Sequence, residues 1–132
     1  MTQEDPSNAM ERVIRSDGRY PPEAYSLLHE GLSKAVQEIY GDDAQTTGRR
    51  HVSGRQLCLA IREMAIERWG LLAKTVLARW NIHSTLDFGN MVYLLIEHDF
   101  MRKTEEDSID DFRDVYDFDK AFGGHDDFEL KE

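Results

Sequence analysis

At 132 residues, with 40% hydrophobic and 32% charged side chains, the chain is long enough for one domain with a real core and too short for two comfortable ones. Its longest unbroken apolar run, Met91 to Ile96, falls far short of a membrane span, and its one cysteine, Cys58, excludes an internal disulfide. The net charge of -10 is unevenly laid out: residues 1–48 carry -5, residues 49–80 carry +5 and residues 81–132 carry -10.

Residues 1–8 are polar and contain a proline, which reads as a disordered N-terminus. The acidic start lacks the basic and apolar regions of a signal peptide, so the chain is expected in the cytoplasm. Ala9 to Ser16 predicts a short helix with Met10, Val13 and Ile14 on one side, broken at Asp17-Gly18. Pro22 at the first helical position opens a long helix with the stripe Tyr25, Leu28, Leu32, Ala35, Val36 and Ile39, ended by Gly41. Residues 41–52 read as a loop. Ser53 with Gln56 forms a capping box for a helix to Trp69 that buries Leu57, Ala60, Ile61, Met64 and Ala65. Leu59 and Ile66 lie off that stripe, so this helix is expected to be covered on two sides.

Beyond Gly70, Leu71 to Trp80 predicts a helix with Leu72, Val76, Leu77 and Trp80 inward. Asn81 suits a left-handed helix end, Ile82 plugs the angle, and Ser84 or Thr85 caps the next helix with Asp87 in its first turn. Phe88, Met91, Val92, Leu95 and Ile96 give that helix, about residues 85–98, the strongest amphipathic pattern in the chain. Phe100 to Thr104 and Asp114 to Phe118 read as two strands around a polar loop. The order predicts a mainly α fold with a C-terminal β-hairpin, a winged helix-turn-helix-like domain over residues 9–119 with extra N-terminal helices. Residues 120–132 are expected to be an acidic flexible tail.

Four segments carry a resemblance: Arg19-Tyr20-Pro21-Pro22-Glu23-Ala24-Tyr25, Arg50-His51-Val52-Ser53-Gly54, Lys103-Thr104-Glu105-Glu106-Asp107-Ser108 and Asp114-Val115-Tyr116-Asp117-Phe118-Asp119. Together they resemble a small bacterial family of planctomycetes and verrucomicrobia, described as conserved hypothetical proteins. The similarity spans roughly residues 10–122. It implies a cytosolic bacterial protein of one domain, and brings no activity, cofactor or site residue with it.

DNA binding through the expected reading helix is disfavoured. Residues 85–98 offer Asp87, Asn90, Glu97 and His98 as polar groups, and residues 105–119 set eight carboxylates against Arg113, a surface that repels a duplex. Asp117-Phe118-Asp119 is followed by Lys120 where a calcium loop needs another oxygen ligand. The histidines are scattered and neither zinc nor di-iron spacing is present, so no metal or cofactor is expected. Cys58, beside a core stripe, reads as a small buried thiol, and no catalytic residue is assigned.

The candidate anion or partner contacts are Arg49, Arg50, His51 and Arg55, just ahead of and within a helix N-terminus. The favoured alternative for His51 is that it and its neighbouring arginine pin the loop to a Glu or Asp of the C-terminal hairpin. Tyr93 and Leu94 lie off their helix's core stripe and need cover, either from a second copy in a homodimer or from the helix at residues 22–40. These features lead to a non-catalytic protein-interaction or adaptor module as the expected function. The alternative is association with RNA or the ribosome through the basic segment 49–80.

Overall fold

The helices over residues 22–40, 54–69 and 85–97 form where the apolar periodicity places them, and side-chain caps organise much of the chain between. The computed structural model describes residues 6–41 and 51–123. The helices are α1 (Pro6–Asp17), α2 (Pro22–Tyr40), α3 (Gly54–Trp69), α4 (Ala73–Arg79), α5 (Thr85–Glu97) and α6 (Phe118–Gly123), with 3-10 turns at Gly70–Leu72 and Ile109–Phe112. α1 begins three residues before the expected start, so Pro6 to Asn8 are helical rather than disordered. The expected disorder of residues 1–5 and the expected tail beyond residue 123 lie outside the described residues.

α2 opens on Pro22 and buries Tyr25, Leu28, Ala35 and Val36 of its expected stripe, while Ile39 is exposed. It packs on α3 at a close approach fixed by Gly31, where a Cβ would stand 2.5 Å from Ile61 Cγ1. Arg68 pairs with Glu30 across this contact, and Lys34 lies 3.8 Å from Glu63. α3 starts with the expected box: Ser53 Oγ accepts the Gln56 N–H at 3.1 Å, and the Gln56 side chain accepts the Ser53 N–H at 2.9 Å.

The expected helix from Leu71 to Trp80 is divided. Gly70, at φ 53°, turns the chain into the 3-10 turn before α4 begins. This rotates Leu71 and Leu72 outward, to 58% and 63% exposure, and buries Ala73 and Leu77 instead. Leu72 is therefore not a core residue. At the same corner the Trp69 and Trp80 rings meet edge to face, centroids 5.6 Å apart. Asn81 takes the expected left-handed conformation at φ 66°, and Ile82 is fully buried behind it. Asp87 fixes the start of α5, accepting the His83 and Ser84 N–H groups at 2.7 and 3.0 Å and the Tyr20 hydroxyl at 2.5 Å. Burial and the Asp87 hydrogen bond push the Tyr20 phenol up to about 12.

The C-terminal β-hairpin is absent. Among the described residues there is no strand, and so no wing; the winged-helix expectation for residues 9–119 fails at this point. Phe100 and Met101 turn their N–H groups back to the Leu95 carbonyl at 2.8 and 3.3 Å, completing the end of α5 after Asp99 at φ 64°. The polar stretch then caps itself. Asp107 accepts the Thr104 N–H, and Asp111 accepts the Ser108 N–H at the head of the second 3-10 turn. Such short-range side-chain bonds occupy the donors that a strand ladder would need. The alternating Asp114-Val115-Tyr116-Asp117-Phe118 has a different outlet as well. Asp114 is left-handed at φ 50°, the Tyr116 hydroxyl donates to the Cys58 carbonyl at 2.8 Å, and Asp117 caps α6 through the Lys120 N–H.

One core gathers side chains from α2, α3, α4 and α5 and is closed by Phe112, Phe118 and Phe122. Phe112 sits in a socket of two glycines: a Cβ on Gly54 or Gly89 would fall 2.9 or 2.8 Å from it. Phe118 stacks with Tyr116 and meets Phe122 edge to face at 5.0 Å. α6 therefore extends order past residue 119, into the expected flexible tail.

Candidate functional site

A cavity of about 400 Å³ with both apolar and polar walls lies between α2, the start of α3, α5 and residues 101–112. Leu32 and Val36 on α2 face Val92 and Ile96 on α5, with Val52 and Phe112 completing an apolar floor. Each helix supplies its pair at i, i+4 spacing, which puts both members on one side. Polar groups gather from His29, His51, Tyr93, Asp107 and Asp111.

His51 comes to the cavity because it immediately precedes the cap of α3. Its carbonyl accepts the Tyr40 hydroxyl at 2.7 Å, and its Nε2 lies 2.8 Å from Asp107 Oδ1. Burial alone would raise the Asp107 carboxyl, but the Thr104 N–H and the His51 ring outweigh it and hold the group below its ordinary value. His51 thus pins the start of α3 to the acidic stretch, the arrangement favoured from the sequence, although the stretch is a capped turn and not a hairpin. Arg55 is exposed and makes no ion pair among the described residues, and it does not line the cavity. Arg49 and Arg50 lie outside the described residues.

Tyr93 contributes an unusual group. Its hydroxyl is buried and has no hydrogen-bond partner among the described residues. Burial first, then the Asp107 and Asp111 charges, raise its pKa, keeping a neutral donor at the wall. Sequence periodicity marks Tyr93 only as a residue needing cover. The chain itself provides that cover for both members of the pair: Leu94 is 7% exposed and Tyr93 packs against the core.

The basic segment is partly consumed within the fold. Arg68 joins Glu30, and Lys74 joins Asp119 of α6. Cys58 is fully buried, and burial pushes its thiol up to about 12, far from thiolate chemistry. Among the described residues no group of three or more His, Cys, Asp or Glu is placed to share a metal ion. His98 is the C-cap of α5, and Glu97, His98 and Asp99 gather at that helix end, away from the cavity lining. No described helix is long and apolar enough to cross a membrane.

The arrangement can hold an apolar group on its floor and offer hydrogen bonds at its rim, and it presents no activated nucleophile among the described residues. No family model, curated protein or solved structure matches the chain.

Proposed function

We propose that the protein is a non-catalytic interaction module of the cytoplasm, and that the cavity is the seat for an apolar side chain of a protein partner. The observation that supports this reading is the apolar floor of Leu32, Val36, Val92 and Ile96, bordered by the polar groups of His51, Asp107 and Asp111 and by Tyr93, whose buried hydroxyl has no partner among the described residues. Its volume of about 400 Å³ lies within the range of ligand-binding clefts and is room enough for a large apolar side chain. The reading needs no helical-wing scaffold. The competing reading, RNA association through residues 49–80, loses Arg68 and Lys74 to internal ion pairs and is weakened accordingly.

Affinity capture from the protein's own cells, run beside an Ile96→Trp variant that fills the floor, tests the proposal. The expected result is one partner at stoichiometric yield on the parent chain and little on the variant. Circular dichroism checks that the variant is folded, and Val36→Phe provides a second way to fill the same space. Equal capture by the parent and both filled variants, or turnover of a small molecule at the cavity, would remove the reading. Sedimentation of the purified chain distinguishes a second copy of itself from a different protein.

A further inference from the structure

Resting on that reading, we infer that the partner segment is a basic amphipathic peptide, with one apolar side chain on the cavity floor and Lys or Arg over the adjoining carboxylates. Residues 104–119 carry eight carboxylates and one cation, Arg113, and that cation is held by Asp110. Asp107 is engaged by His51, Asp119 by Lys74, and Asp117 caps α6. Glu105, Glu106 and Asp114 remain, and Asp111, although it accepts the Ser108 N–H, joins them in making no ion pair with a described residue. Asp111 lines the cavity itself, while the other three are exposed and lie outside its lining.

That placement decides between ligand classes. A small amine could satisfy Asp111 and the floor, leaving the carboxylates outside the lining without a partner. An extended ligand can continue from the cavity to Glu105 and Glu106, which lie in sequence between the lining residues Arg102 and Asp107. A nucleic acid brings phosphates to a surface that repels them. Arg102 lines the mouth and Lys103 follows it, two cations ahead of the acidic run. They are outnumbered by the four carboxylates that make no ion pair with a described residue, and can meet peptide carbonyls. Tyr93 lines the cavity, and its buried hydroxyl has no hydrogen-bond partner among the described residues. The apolar anchor gives affinity and the charges give approach rate and selectivity, so the two contributions separate experimentally.

The test pans a random peptide display library on the full chain, with the Ile96→Trp variant as the counter-selection. A peptide taken from the enriched set is then measured by calorimetry at low and high salt. The expected peptides hold one Leu, Met, Phe or Trp close to two or more Lys or Arg. Their affinity should fall about fivefold or more from low to high salt, and by a similar factor at low salt in Glu105→Gln/Glu106→Gln, two exposed positions with no role in the core. Enrichment of neutral or acidic peptides that still depend on the open cavity would overturn the basic class and leave the module reading in place. Enrichment no different between the parent chain and Ile96→Trp would overturn both. Binding of phenethylamine at the cavity, with peptide affinity unmoved by the Gln substitutions, would assign a small amine instead and overturn the inference.

Discussion

The Thr85 hydroxyl donates to the Phe112 carbonyl at 2.6 Å and accepts the Val115 N–H at 3.2 Å. Thr85 is the first residue of α5 and is fully buried, so one hydroxyl ties the head of that helix to both sides of the turn around Asp114. Thr85→Val keeps the shape and removes both bonds, leaving a carbonyl and an N–H unsatisfied. Urea unfolding should show a loss of about 2 kcal/mol, and Thr85→Ser should recover most of it.

The socket around Phe112 gives a paired expectation. Phe112→Ala empties the space between Gly54 and Gly89 and should cost about 3–5 kcal/mol, as large-to-small changes of buried aromatics do. Gly89→Ala attacks the same contact from the other side. Its new Cβ would sit 2.8 Å from Phe112 Cβ, an atom with little freedom to move, and overpacking of this kind costs about 1–3 kcal/mol. Thermal melts of the two variants check both; a Gly89→Ala chain as stable as the parent would show that the socket can open.

Helix content is legible in the sequence, and the capping residues are its clearest marks. Ser53 with Gln56, Ser84 with Asp87 and the left-handed Asn81 occupy the expected positions, because capping acts at short range between neighbours. The C-terminal third misleads for a related reason. Alternation from Asp114 to Phe118 carries the period of a strand, but the Asp and Ser residues around it bind backbone donors within three positions, and Tyr116 and Phe118 turn to a helical core instead. A Phe118–Phe122 pair at i, i+4 is the available sign of a helix there. The cavity is hidden for another reason. His51 and Asp107 are separated by 56 positions, and the floor residues Val92 and Ile96 carry the same periodic signal as any core stripe.

The acid limb of the stability profile should contain a contribution from Asp107. Its folded pKa is depressed, so the stabilisation is present above the unfolded value of about 4 and is lost as pH falls through the folded value. Asp107→Asn should lower stability at neutral pH and flatten the decline below about pH 4. Chemical denaturation at a series of pH values reads this directly. A parallel downward shift of the whole curve, with the acid slope intact, would mean that the carboxylate's titration plays no part.

Cys58 should resist thiol reagents in the folded chain. It is fully buried and its thiol is pushed up to about 12, so the reactive thiolate is scarce at neutral pH. Labelling by iodoacetamide should be slower than in denaturant by about two orders of magnitude or more. Tyr116→Phe removes the hydroxyl that anchors the Cys58 carbonyl, and should raise the labelling rate if local opening of this region limits it.

The perpendicular rings at the α3–α4 bend have a practical consequence for every binding study of this protein. Trp69 and Trp80 are its two indoles, and both stand at one address, away from the cavity lining. Intrinsic emission therefore watches a single bend, and a guest resting against Tyr93 can arrive without changing the spectrum. A flat emission trace during a titration is silent on occupancy, whereas a change in it reports that the bend itself has moved.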